Sequence, residues 1–216
     1  MKKYPLPPPQ LLQVGDFIKK YPLPPPQLLQ VGDFVFDSGA DAFASVTRTV
    51  TGPKCTPWWR RARDISIATH VGNVCDFAGQ KLITEMRPNG LEPNAPGFYR
   101  TPFSIKPRRP IAVLRLPLSA TARSELNRQM ALDIRRGFEY SVKDLVRFVI
   151  ARVDEQSKRM YCSEYSYQLF VNANGEYNHG LPYDPNLKCR DFDNMVSPYA
   201  LMYNLIPRCQ VVWKPS

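Results

Sequence analysis

The sequence predicts an α+β domain, a β-sheet with helices packed on it, and two patterns carry that expectation. Short apolar runs of strand length, bounded by glycine, proline and asparagine, dominate the first half of the chain, and amphipathic stretches at helical spacing dominate the second. At 216 residues, with 44% hydrophobic and 12% aromatic content, the chain is long enough for one domain with a substantial core and too apolar to stay disordered.

The chain opens on a duplication. Residues 2–17, KKYPLPPPQLLQVGDF, recur unchanged at 19–34. Solenoid repeats diverge and need several copies to bury a shared core, so a perfect twofold tandem reads as a duplicated start region. The prolines from Pro5 to Pro9 and from Pro22 to Pro26 favour polyproline II, which makes 1–30 an extended proline-rich arm and 31–216 the folded domain. Lys2-x-x-Pro5-x-x-Pro8 also fits a proline-rich ligand pattern, but a stiff arm is the plainer reading. Only the second copy runs directly into a strand.

Strands are expected at Val31–Asp37, Ile65–Val74, Lys81–Met86 and Ile111–Leu116. From Ser119 to Arg136, Ala122, Leu126, Met130 and Ile134 form one stripe of a helix that Gly137 stops. A second helix is predicted from Ser141, with Asp144 three places on as in a capping box, and Val142, Leu145, Val146, Val149, Ile150 and Val153 on its buried side. A third starts at Cys162 and runs through Leu169 and Phe170 until Asn172-Ala173-Asn174-Gly175 breaks it. Residues 175–198 show no sustained period and read as a long irregular loop, the kind of segment that borders clefts.

A net charge of +10, with arginines grouped at Arg60-Arg61-Ala62-Arg63, Arg108-Arg109 and Arg135-Arg136, favours polyanionic partners. Wall polymer, anionic lipid and nucleic acid all qualify, nucleic acid being the least favoured. Charge alone does not choose among them. No run of eighteen apolar residues occurs, and the chain starts with Lys2, Lys3 and prolines rather than the apolar stretch of an export signal, so a soluble protein made in the cytoplasm is expected. Five cysteines at irregular spacing are read as free thiols. With two histidines, no CxxC pair, no HExxH and no phosphate-cradling glycine loop, neither a metal nor a cofactor is expected.

Two separated segments carry the chemistry. Thr69-His70-Val71-Gly72-Asn73-Val74 reads as a strand bearing a histidine, and Tyr161-Cys162-Ser163-Glu164-Tyr165 as a helix opening on a cysteine. Unpaired N–H groups and the dipole at a helix start stabilise a thiolate, and an adjacent imidazole removes the thiol proton. The plain alternatives are a buried structural cysteine and a strand histidine with its hydrogen bonds satisfied. His179, in Asn178-His179-Gly180, reads as a solvated turn residue. Trp58-Trp59-Arg60-Arg61 would grip a sugar, a base or a lipid headgroup, although a core tryptophan beside a solvated basic loop is the plainer reading.

Taken in order, Val31-Gly32-Asp33-Phe34-Val35-Phe36, the Thr69–Val74 strand and YCSEYSYQLF resemble the permuted NlpC-type papain-like hydrolases, in particular the YiiX-like group. The resemblance runs from about Val31 to Leu205, and Gly137-Phe138-Glu139-Tyr140 and Ser197-Pro198 fit it as well. Thr69 stands where the family often has serine, and Tyr165 and Ser166 replace its usual Leu-Val. The resemblance implies a circularly permuted papain-like fold, an antiparallel sheet packed against helices, in which His70 precedes Cys162. It also implies Cys162 as nucleophile, His70 as base, and a polar residue on the following strand that orients the imidazole.

Glu85 fits that third place, sharing a strand face with Ile83, and Asn73 and Thr84 are its alternatives. The oxyanion would be held by the Cys162 N–H and a second donor, for which Tyr161 is the candidate. Glu164 belongs to the motif but also suits a structural role in the first turn of its helix. Trp58 is a candidate substrate contact. The expected activity is thiol acyl transfer on an amide bond, with cell-wall peptide (peptidoglycan) as substrate, met at the wall after release or delivery. The rivals are an acyltransferase or lipid-directed esterase with the same pair, and a catalytically inactive basic binding or virion protein.

Overall fold

Apolar alternation in the first half of the chain becomes one sheet. In chain order the elements are β1 (Phe34–Ser38), α1 (Ala42–Thr51), α2 (Trp58–Arg63), β2 (His70–Phe77), β3 (Gln80–Arg87), β4 (Gly90–Asn94) and β5 (Arg109–Arg115). There follow α3 (Ala120–Arg136), β6 (Glu139–Tyr140), β7 (Arg159–Met160), α4 (Cys162–Asn172), α5 (Pro198–Leu205) and β8 (Gln210–Trp213). The computed structural model describes residues 24–39, 42–51, 57–64, 66–87, 90–94, 109–137, 139–140, 159–160, 162–172, 197–206 and 209–215. The expected helix at 141–153, nearly all of the expected loop at 175–198, and the first copy of the repeat lie outside them.

Six strands pair in the order β4-β3-β2-β1-β5-β8, every pair antiparallel, while β6 and β7 form a separate parallel pair. The domain is therefore α+β with an antiparallel sheet, as expected. Pro93 lies in the outermost strand, where a missing N–H costs no ladder bond to a further neighbour.

The two faces of the sheet are covered differently. Phe34, Phe36, Val71, Cys75, Met86 and Leu114 pack with Leu126 and Met130 of α3, Cys162, Tyr165 and Leu169 of α4, and Leu201 and Leu205 of α5. Val35, Val74, Ile83 and Val113 form a smaller cluster with Leu29, against which Val212 and Trp213 pack. Period-two alternation on β1 and β2 produces this division.

Helix α3 behaves as its sequence requires. The Ser119 hydroxyl accepts from the Ala122 N–H at 3.1 Å, Gly137 closes the helix at φ 69°, and Ala122, Leu126 and Met130 are buried. Ser197 caps α5 in the same way, with Pro198 in the first turn.

The Gly-Asp of the opening motif is built into the frame. Gly32 adopts φ 85° and donates to the Val74 carbonyl, while Val74 donates to the Asp33 carbonyl, so two residues face one in a glycine-requiring bulge. Asp33, wholly buried, accepts from Arg115 Nε at 2.8 Å and Nη2 at 2.7 Å, and from the Gln30 N–H at 2.8 Å. Arg115 also donates to the Leu28 carbonyl, and Arg123 to that of Val31. Residues 26–31 are thereby held on the sheet, with Leu29 only 3% exposed. The proline run ends in a tight 3-10 turn at Pro26–Leu28 rather than continuing extended.

Other expectations need correction. The histidine strand was expected from Ile65 but begins at His70, because Ile67 donates to Asp64 in a turn, and it continues to Phe77. The basic run expected as a loop is the helix α2, and Trp59 on it is exposed, while the Trp58 side chain lies outside what is described. Helix α1 and strands β4 and β8 were not anticipated. Among the described residues, no helix is long and apolar enough to cross a membrane.

Candidate active site

Cys162 is the first residue of α4 and is buried; its expected helix starts where the spacing placed it. The N–H groups of that first turn have no partner within the helix, so the sulfur sits where negative charge is favoured. Burial acts in the opposite sense, because desolvation penalises a thiolate.

His70 is the first residue of β2 and is 3% exposed. Its Nε2 lies 3.3 Å from Glu85 Oε2, and Glu85 is 1% exposed. Of the three residues considered as its orienter, Glu85 is the one placed beside the ring. Thr84 stands opposite Asn73 in the ladder, and the Asn73 side-chain Oδ1 accepts from the Ser166 hydroxyl of α4 at 2.7 Å. That bond fixes α4 on β2, so the cysteine-bearing helix and the histidine-bearing strand are direct neighbours.

Strand alternation sets a condition on any chemistry between them. Val71, Asn73 and Cys75 face α4, whereas Glu85 lies over Gly72 on the other side with Ile83. The imidazole, paired with Glu85, leaves the sheet on that second side. Thr69 N–H donates to the Asp37 carbonyl although His70 is the residue in register with Asp37, so two residues of this segment face one of β1. His70 stands at the very start of its strand.

Gly72 is required at this point. A Cβ there would lie 2.6 Å from Ile83 Cγ2 and 2.9 Å from Glu85 Cγ, so Glu85 crosses the space that any other residue would fill. Gly72→Ala is expected to cost about 1–3 kcal/mol through overpacking. Urea unfolding measures it, and a loss below about 0.5 kcal/mol, the scale of an ordinary surface change, would contradict the close packing.

Asp37 was not anticipated as part of this site. It is wholly buried and in register with His70, which brings a second carboxylate to the neighbourhood of the ring. Its signal was an acidic residue inside an otherwise apolar strand, Phe34-Val35-Phe36-Asp37. Arg48 of α1 approaches from the same end, donating to the Ser38 hydroxyl at 3.1 Å and to the Gly39 carbonyl. Thr69 accepts from the Gly39 N–H at 2.9 Å.

The remaining candidates are placed as follows. Glu164 is half-buried in the first turn of α4. Trp58 opens α2, and Tyr161, the proposed second oxyanion donor, lies outside the described residues, as does His179. Tyr165 donates to Asp133 Oδ2 at 3.3 Å, tying α4 to α3, and burial raises the pKa of both groups. Among the described residues, no group of three or more histidine, cysteine, aspartate or glutamate side chains would hold a metal ion.

Cys75 provides an internal contrast. Burial pushes its thiol up to about 11, and it donates to the Leu82 carbonyl at 3.5 Å. It is expected to remain unalkylated by iodoacetamide in the folded protein up to about pH 9, since the thiolate is the nucleophile. Peptide mapping after alkylation checks this, and ready modification of Cys75 would contradict the packing.

No family model matches the sequence, and no curated protein matches it. Among solved structures, the chain is similar to the metalloprotein yiiX from Escherichia coli O157:H7, with a TM-score of 0.48 and 17% identity. The alignment covers 86% of this chain and 97% of that one.

Proposed function

We propose that this chain is a cysteine hydrolase of the permuted papain-like, NlpC-type architecture, cleaving amide bonds in cell-wall peptide. The observation that carries the reading is the buried His70–Glu85 pair on strands packed under the helix that opens with Cys162. Cys162 attacks the carbonyl carbon as thiolate, and the C–N bond breaks as the His70 imidazolium gives its proton to the leaving amine. Water, deprotonated by His70, then attacks the thioester and releases the carboxylic acid and the thiol. Glu85, its Oε2 3.3 Å from His70 Nε2, stabilises the imidazolium by its charge and holds the ring in the orientation both steps need. The net charge of +10 suits an anionic wall.

Mass spectrometry of purified wall peptides incubated with the protein tests the proposal. One new amine and one new carboxylate per cleavage are expected. Transfer of the acyl group to an added amine or alcohol would instead identify an acyltransferase, and release of fatty acid from an ester a lipid-directed esterase. Cleavage that persists in Cys162→Ala would overturn the thiol mechanism altogether.

A further inference from the structure

Two basic residues and an indole of the tryptophan-arginine run are exposed on α2. Trp59 is 54% exposed on α2, and Arg60 and Arg63 are exposed on the same short helix. Among the described residues, neither arginine forms an ion pair. Helix α2 packs against α1, which carries Val46 at 49% exposure. The two packed helices thus carry an exposed indole, an exposed aliphatic side chain and two exposed guanidinium groups that form no ion pair among the described residues.

We propose that this α1–α2 corner docks the protein on an anionic lipid surface. The indole of Trp59 and the Val46 side chain enter the boundary between headgroups and acyl chains, where amphipathic rings are favoured. Arg60 and Arg63 stay at the headgroups and bond the lipid phosphates. The net charge of +10 attracts the whole chain to such a surface before contact. A nucleic acid would use the indole and the guanidinium groups, but it offers no apolar phase for Val46. The bilayer accounts for all four side chains.

The test is co-sedimentation of the whole protein with vesicles made of equal parts phosphatidylglycerol and phosphatidylcholine, against vesicles of phosphatidylcholine alone. Binding to the first, weakening as salt rises, and none to the second is expected. Arg60→Gln and Arg63→Gln should each lower the partition coefficient about five-fold, the factor for one basic residue at a charged surface. Trp59→Ala should weaken binding at high salt as well as low, because its contribution is apolar. All three side chains are exposed, and an unchanged thermal midpoint confirms that each variant is folded. Binding that these variants leave unaltered would assign the affinity to diffuse charge and overturn the proposal, as would absence of binding, or tighter binding of the same residues to RNA or duplex DNA. Cys162→Ala should bind vesicles as the parent does, so failure of the hydrolase reading leaves this result standing.

Discussion

Cys162→Ala is expected to reduce turnover of a cleaved amide by about ten-thousand-fold or more, the scale on which removal of an acyl-enzyme nucleophile acts. The sulfur has no substitute: Cys75 faces the apolar core with its thiol held protonated, and a water molecule at the same place lacks the covalent route. His70→Ala should cost nearly as much, and the double variant no more than either single one, because nucleophile and base act as a unit. Glu85→Gln should lose less, since a side chain of the same shape still sits beside the ring while the charge that stabilises the imidazolium is gone. Steady-state kinetics with matched thermal midpoints separates these effects from misfolding. Equal losses at Cys162 and at Cys75 would point to damaged packing rather than lost chemistry.

Asp33→Ala is expected to destabilise the fold by about 3 kcal/mol, the lower part of the range for breaking a buried ion pair. Asp33 is wholly buried, and its carboxylate accepts both guanidinium bonds from Arg115 and one from the Gln30 N–H. Removing it strands a charge whose side chain is only 15% exposed, and Asp33 is what raises the Arg115 pKa. Arg115 also holds the Leu28 carbonyl, so the segment bearing Leu29 should loosen with it. Urea denaturation at neutral pH measures the loss. Arg115→Met with Asp33→Leu, replacing the pair by apolar groups of similar volume, should recover much of it. Turnover per folded molecule should stay close to that of the parent, because this pair braces β1 and β5 and takes no part at the His70 end of the sheet. A stable Asp33→Ala with lost activity would reverse that assignment and make the Gly-Asp motif catalytic.

Much of the fold was legible because its signals are local. The stripe of Ala122, Leu126 and Met130, the cap at Ser119 and the stop at Gly137 each depend on residues within one or two turns, and α3 forms where they place it. The start of α4 at Cys162 was legible for the same reason. Helix α1 was not, because Phe43, Val46 and Val50 among threonines and serines suit a strand as well as a helix, and tertiary packing decides such stretches. Strand β8 is only four residues long, too short for alternation to declare itself, and its pairing with β5 spans about a hundred positions.

Within the site, Glu85 was a candidate because the family resemblance puts a polar residue on the strand after the histidine; alternation on β3 added only that it shares a face with Ile83. The role of Gly72 was not legible, since it depends on a cross-strand side chain passing over the glycine. Asp37 was missed because its relation to His70 is a matter of register between strands more than thirty residues apart. The exposure of Trp59 was likewise invisible: a tryptophan in a basic run carries no local sign of which way its helix will face.

The rate of Cys162 alkylation by iodoacetamide as a function of pH, in the parent protein and in His70→Asn, tests most directly whether the helix-start sulfur and the strand imidazole work together. A thiolate supported by both the helix end and the ring should be alkylated at lower pH than an ordinary thiol, and loss of the ring should move the midpoint toward the ordinary thiol value of about 8.5. A midpoint at or above that ordinary value, unmoved by His70→Asn, would contradict the account and leave Cys162 a buried structural thiol.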